Sequence, residues 1–326
     1  MKSYPAHTTA RYMLAAIVGF SSSVVLAQNY PVKPVRMIIG FAAGSSTDVL
    51  MRIIGPKLSE LWGQPVVVDN RPGAGGNIAA EVVAKAVPDG YTLLFANGGI
   101  AISHSMYKHL QYNARTDLAP VSLLTLMPHI VCVNPSLPVK SVAELIALAK
   151  ARPDPLLYSS AGIGNSDHMA TELFAYMAKI KMTHVPNKGG PQALNDVISG
   201  QVALYFAGMP TGLPQAKAGK VRAIAVTTAK RSTAAPDIPT MQEAGVAGYD
   251  YSLWNGLFAP AGTPSAIVSK ISADVARVVT MNDVRDRFTS FGIETLGTSP
   301  GQFKQFFVAD LDKWADVIKA SGIQIE

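Results

Sequence analysis

The chain has 326 residues, with 28 Lys and Arg against 22 Asp and Glu and a formal net charge of +6. That length holds two ordinary domains with substantial cores, and the scattered basic residues lack the aromatic interleaving of a nucleic-acid surface. A single cysteine, Cys132, excludes an intramolecular disulfide; flanked by Ile130, Val131 and Val133, it is expected to be a buried hydrophobe.

In chain order, Lys2 and Arg11 come first, then a short apolar run, residues 14–27, ending in Val25-Leu26-Ala27. Small residues three and one before the cut are what signal peptidase accepts, so residues 1–27 are expected to be a signal peptide cleaved near Ala27. The run is too short to cross about 30 Å of hydrocarbon, and no later stretch is long and apolar enough to do so. Export to the periplasm follows as an expectation. With two leading basic residues removed, 26 basic against 22 acidic residues leave +4, a mild field that favours anionic ligands.

Beyond Pro31, apolar runs of strand length alternate with longer helical patterns, the signature of α/β layers around a largely parallel sheet. Strands are expected at residues 35–41, 66–69 and 91–96, with helices at 48–61 and 77–86 between them. A second group begins near Met127, with strands at 130–134, 156–160, 183–185, 202–206 and 221–227 and helices at 141–151, 167–177 and 191–199. The last part carries a strand at 253–258 and helices at 264–279, 283–291 and 300–321. That piece is too small for a domain of its own and is expected to fold back onto the first group. The expected division is a first lobe of residues 28–127 and 251–326 and a second of 128–250, with a hinge where the chain crosses twice.

Three loops join a strand to a helix N-terminus. The first is Gly40-Phe41-Ala42-Ala43-Gly44-Ser45-Ser46-Thr47-Asp48, where exposed amides and the helix dipole suit an anion, although capping alone explains the hydroxyls. The second, Asn70-Arg71-Pro72-Gly73-Ala74-Gly75-Gly76-Asn77, has no Gly-x-Gly-x-x-Gly spacing, and no Walker lysine pattern is present, so no nucleotide cofactor is implied. The third, Ser159-Ser160-Ala161-Gly162-Ile163-Gly164-Asn165-Ser166, lies in the second group. Facing helix N-termini from opposite lobes would hold a carboxylate between them.

Catalytic and metal patterns are weak. There is no Gly-x-Ser-x-Gly elbow, and Asp167 and His168 are mere sequence neighbours. His104 and His109 lack zinc-helix spacing, and His129, His168 and His184 are expected to be structural hydrogen-bond formers. No catalytic residue, metal or cofactor is assigned.

With those loops placed, the chain resembles the Bug-type solute receptors of the tripartite tricarboxylate transporter family. The most specific pieces are Phe41-Ala42-Ala43-Gly44 through Asp48, the whole second loop, and Pro88-Asp89-Gly90-Tyr91-Thr92-Leu93-Leu94. Tyr158 through His168, His184-Val185-Pro186, Lys188-Gly189, Leu257 through Pro264 and Ser321-Gly322-Ile323 extend the match over the mature chain. The resemblance implies an α/β, two-lobed type II periplasmic-binding-protein fold that closes by a hinge on one small organic carboxylate. It implies a monomer that delivers its ligand to inner-membrane transporter subunits, with no nucleic acid involved. Carried over by position, ligand contacts would come from Phe41, Gly44, Ser45, Ser46, Thr47 and Asp48, with Asn97 and Gly98 nearby. Ser159, Ser160, Gly164 and Asn165 would supply the opposing face.

Three positions depart from the family pattern. Ser45 stands where a second glycine is usual, Asn187 replaces a customary tyrosine, and Ala207 replaces an aspartate common after the phenylalanine. If that aspartate meets a ligand amine or hydroxyl, its loss at Ala207 argues against an amino-acid ligand and leaves room for a more apolar carboxylate. Two alternatives stay open at this stage: a receptor that reports to a membrane sensor kinase, and a secreted hydrolase of small esters or amides.

Overall fold

The computed structural model describes residues 30–321, so the expected cleavage site near Ala27 lies outside the described residues. The aliphatic run Val35–Ile39 forms strand β1, with β2 (Val66–Asn70) and β3 (Thr92–Asn97) parallel on either side. Between them cross α1 (Ser46–Trp62) and α2 (Asn77–Ala84). On α1, Leu50, Met51, Ile54, Leu58 and Trp62 recur at helical spacing and are buried against the sheet. Ser45 caps its start by accepting from the Asp48 amide, and Gly63 ends it in the left-handed region. The short helix α3 (Gly99–Met106) follows β3.

One long strand, β4 (Leu118–Val133), joins two sets of strands. Its residues 118–128 pair antiparallel with β9 (Ser252–Pro260), which also pairs with β3, giving the order β2-β1-β3-β9-β4. Its end, from His129 to Val133, pairs instead with β7 (Leu204–Gly208) and β8 (Arg222–Val226). Strands β5 (Leu156–Ser160) and β6 (Met182–Pro186) continue that second set in parallel, and β10 (Glu294–Thr295) adds to β4. Helices α4 (Val142–Ala151), α5 (Ser166–Ala178), α6 (Gly190–Ser199) and α7 (Met209–Lys217) belong to the second set. Helices α8 (Ser265–Val279), α9 (Asn282–Thr289) and α10 (Pro300–Ser321) close the chain.

Helix α10 is held by a cluster of Trp254 and Phe258 on β9 with Phe303 and Phe307, and by a 2.8 Å hydrogen bond from the Trp254 indole to Asp310. A buried polar chain ties the site to the crossing strands: Thr47 donates to Asn255, and Asn255 donates to Thr125. Cys132 is fully buried in β4, and burial pushes its thiol up to about 12.

Helices α3 and α7, strand β10 and residues 118–129 of β4 lie outside the sequence expectation. Helix α7, where the sequence expectation has no element, contains Pro210, Gly212 and Pro214; Pro210 sits in the first turn, where its missing N–H costs nothing. Gly212 lets α7 lie close on Ile130 and Ala207. Helix α3 opens on Gly98 and Gly99 without a side-chain cap. Strand β4 is interrupted in sequence by Pro120 and Pro128, and the structure accommodates this with register shifts near Pro120 and Leu123.

Candidate functional site

The first loop leaves β1 and turns at Gly44, whose φ of +79° a branched residue would resist. Its amides are partly spent on the turn itself. The Gly44 amide donates to Asp48 Oδ2 at 2.8 Å, and the Ser45 amide donates to the Ala42 carbonyl at 3.1 Å. Asp48 is fully buried and also receives Arg52 and Asn70. Burial opposes its ionisation, yet Arg52, the Gly44 amide and Asn70 together hold its carboxyl below the usual range. Asp48 therefore braces the loop. The amides of Ser46 and Thr47, the first two helical residues of α1, have no partner among the described residues.

The third loop uses its donors differently. Ala161 N donates to Asp167 Oδ2 at 2.9 Å, Gly162 N to Ser160 Oγ, Gly164 N to His168 Nδ1, and Ser166 N to Asn165 Oδ1. Asn165 N donates to the Gly162 carbonyl, and His168 N to Asp167 Oδ1. Behind the loop, the His168 and His184 rings stack with centroids 4.0 Å apart, and Tyr158 stacks on His184 at 4.9 Å. Burial, together with His184, pushes His168 down to about 3, so the ring is a neutral acceptor for Gly164.

These loops meet across a narrow cleft between the two sets of strands. Ser46 Oγ lies 2.8 Å from Thr211 Oγ1, and Tyr107 donates to the Ile163 carbonyl at 3.2 Å. Gly208 lies so close to Ser46 that a side chain there would overlap the serine. Phe41, Ser45, Ser46 and Thr47 line one side, Asn97 the floor, and Ala161, Asn165, Ser166, Asp167, Gly190, Tyr205 and Gly208 the other side. His129 and Leu253 close the end at the crossing strands. No Lys or Arg is among the lining residues. The carboxamide oxygens of Asn97 and Asn165 accept from the Gly99 and Ser166 amides, and their NH2 groups have no partner among the described residues.

Of the residues singled out by sequence, the cleft thus gathers Phe41, Ser45, Ser46, Thr47, Asn97 and Asn165. The others are placed behind it. Gly44 and Asp48 bond each other. Gly98 packs on the Trp254 indole and donates to its carbonyl. Ser159 donates to the Ala193 carbonyl, Ser160 bonds His184, and Gly164 packs beside Ser103 and Met106. Ala207 is fully buried with its methyl against Gly212 of α7, so position 207 presents its side chain to a helix rather than to the cleft. The second loop braces the first, with Asn70 donating to the Phe41 carbonyl at 2.9 Å, while Arg71 bonds Asp69 on the surface.

Sequence reasoning missed His129, Asp167 and Tyr205. His129 is 1 % exposed and its Nδ1 has no partner among the described residues; burial pushes its imidazole down to about 3, so it is neutral. Asp167 is buried too, and burial pushes its carboxyl up to about 6 against the opposing pull of Ala161, Tyr205 and His168. A polar residue in the first helical turn after a small-residue loop was the one available signal for Asp167.

Fold and cleft together define a solute-binding protein. The family model described as tripartite tricarboxylate transporter family receptor, TctC, matches residues 50–323. BugT of Bordetella pertussis is 34 % identical over 321 residues, covering 96 % of this chain and 98 % of that one. Among solved structures, the periplasmic binding protein BugD superposes with a TM-score of 0.88 at 31 % identity, covering 91 % of this chain and all of the other. An R. palustris protein with adipate gives 0.87 at 38 % identity (90 % and 99 % covered), and MatC from Rhodopseudomonas palustris with bound malate gives 0.85 at 33 % (89 % and 100 %). The chain belongs to the tripartite tricarboxylate transporter receptor family, whose Bug-type members are periplasmic solute-binding receptors rather than enzymes. No helix of the described residues is long and apolar enough to cross a membrane.

Proposed function

We propose that the protein captures a small organic carboxylate in the periplasm, by closing two lobes on it, and delivers it to the membrane subunits of a tripartite tricarboxylate transporter. The observation that carries this reading is the pair of unpartnered amides, Ser46 and Thr47, at the start of α1, opening into the cleft that Asn97 and Asn165 also line. Helix N-terminal amides bind carboxylates without a cation. Structural relatives that hold adipate and malate support the ligand class.

The lobes of this reading are residues 30–127 with 251–321, and 128–250. They are joined through β4 at His129 and through the segment where the Tyr251 amide meets the Thr227 carbonyl. The cavity between the loops measures about 20 Å³, room for roughly one water, so ligand entry requires these lobes to part. A panel of mono- and dicarboxylates tests the reading by thermal unfolding. A true ligand stabilises by about 2.7 kcal/mol at a hundredfold excess over Kd and is recovered unchanged. Stabilisation by amines or nucleotides and by no carboxylate overturns it.

A further inference from the structure

We propose that Asp167, Tyr205 and His129 form a second subsite that requires a hydrogen-bond donor, a hydroxyl or an ammonium, on the end of the ligand remote from its captured carboxylate. The same subsite excludes a second carboxylate from that end. The inference rests on the carboxylate reading above and names what distinguishes one carboxylate from another.

The geometry is a cleft with two unlike walls. At the α1 wall, free amides and hydroxyls offer donors to an anion. At the α5 wall stands a carboxylate, Asp167, 3 % exposed and within the lining. Its oxygens accept from the Ala161 amide at 2.9 Å and the His168 amide at 2.8 Å. A carboxylate offers about four lone-pair sites, so these two donors leave capacity for a ligand donor. Tyr205 lines the same cleft, and its hydroxyl can donate or accept. Burial pushes the Asp167 carboxyl up only to about 6, so it is ionised at neutral pH.

His129 supplies the independent sign of a ligand. It lines the same cleft, its ring is buried, and Nδ1 has no partner among the described residues. An unpaired buried ring nitrogen is costly unless something else satisfies it. Neutral imidazole can accept at Nδ1 or donate from it, according to tautomer. A ligand hydroxyl that donates its one proton to Asp167 requires Nδ1–H as a donor, whereas an ammonium, with three protons, donates to Asp167 and requires Nδ1 as an acceptor. A second ligand carboxylate meets an ionised carboxylate in a partly dry cleft whose lining contains no Lys or Arg to offset it.

Calorimetric titration with matched acids tests the proposal. One series is butyrate, ω-hydroxybutyrate, ω-aminobutyrate and succinate; the second is its six-carbon counterpart, ending in adipate. The expected result is a donor-bearing acid that binds at least tenfold more tightly than both the plain acid and the diacid of its length. Which of the two donors wins separates a hydroxy-acid receptor from an amino-acid receptor. Asp167→Asn is expected to cut that advantage below threefold and to raise the affinity of the diacid. His129→Phe, which keeps a buried ring, is expected to weaken the donor-bearing acid more than the plain one. Circular dichroism confirms that the variants fold, and the wild-type panel decides the matter if one does not. A diacid that matches or exceeds the donor-bearing acid at both lengths, or an unchanged ranking in folded Asp167→Asn, overturns the subsite alone. Failure of every acid in the panel to bind overturns the carboxylate reading with it.

Discussion

Two loops of nearly the same composition face each other across the cleft, and they do opposite things with their backbone. The loop before α1 spends the Gly44 and Ser45 amides on its own turn and leaves those of Ser46 and Thr47 free. The loop before α5 engages the amides of Ala161, Gly162, Gly164, Asn165 and Ser166 internally and adds a buried carboxylate, Asp167. The difference lies in where each helix keeps its first-turn aspartate. Asp48 turns away from the cleft to Arg52 and Asn70, whereas Asp167 stays in the lining with no cation beside it. Small and hydroxyl residues at a helix start therefore do not identify an anion site by themselves. The fate of the capping donors does.

The largest expected effect comes from adding a third carboxylate outside both loops. Ala207→Asp places it against Gly212 in the core, with no partner, and should cost about 3–5 kcal/mol of stability. Urea unfolding measures this. A folded variant of wild-type stability whose ligand affinity alone has changed would put position 207 in the cleft and end the two-loop description.

That prediction marks where the sequence was legible and where it was not. Strand β5 and helix α10 have the boundaries expected from periodicity, because apolar spacing reports directly on burial. Of the first-loop residues that the resemblance implied, Phe41, Ser45, Ser46 and Thr47 line the cleft, whereas Gly44 and Asp48 brace it from behind. The direction of a side chain on β7 depends on strand pleat and on what packs behind it, and Ala207 faces α7, a helix hidden by Pro210, Gly212 and Pro214. His129 was obscured for a related reason. It follows Pro128 in a strand that the prolines disguise, so nothing local shows that it lines the cleft.

The second prediction isolates the Asp167 side of the comparison through pH. Its carboxyl is raised from an ordinary 3.8 to about 6 on folding, so the protonated form is the one the fold favours. Stability from this group is fully present below about pH 4 and is lost as pH rises through about 6. The groups that face it, Tyr158, Tyr205 and Tyr251, have hydroxyls raised above their usual range, and burial pushes His129 and His168 down to about 3, so none titrates between. Asp167→Asn should thus gain on wild type by up to about 3 kcal/mol between pH 4 and 7, then level off. Urea midpoints at three pH values check this; a gap that does not change with pH means Asp167 is not buried and ionised as described.

On the α1 side, Ser46→Pro removes one free amide and keeps the helix. Proline suits the first helical position, and Ser45 already has the extended backbone, φ −65° and ψ 159°, that a following proline demands. Hydrogen bonds to a charged group contribute about 1.5–3 kcal/mol, so affinity should fall roughly ten- to hundredfold. Ser46→Ala keeps the amide and loses only the hydroxyl bond to Thr211, for a cost of about 1 kcal/mol or less. Equal affinities for the two variants, measured by calorimetry, would show that backbone capture at α1 is wrong.

The smallest effect is expected at the one cation of the three loops. Arg71 is about half exposed, and its guanidinium bonds Asp69 at 2.9 Å rather than reaching the cleft. Asp69 keeps a second partner, Arg36, at 2.7 Å, so removing Arg71 does not strand a charge. Exposed pairs of this kind contribute about 0–1 kcal/mol, and Arg71→Ala should leave both the melting temperature and the carboxylate affinity nearly unchanged. The result matters because it separates two ways of holding an anion. Salt screens an exposed guanidinium within about 8 Å at physiological ionic strength, whereas amides at a helix start within a narrow cleft are shielded far less. Affinity in wild type should accordingly vary little between low and moderate salt, and Arg71→Ala should not alter that slope. A loss of more than tenfold in Arg71→Ala, or a salt dependence that disappears with it, would make a side-chain ion pair the anchor. The contrast between the two loops would then be incidental to binding.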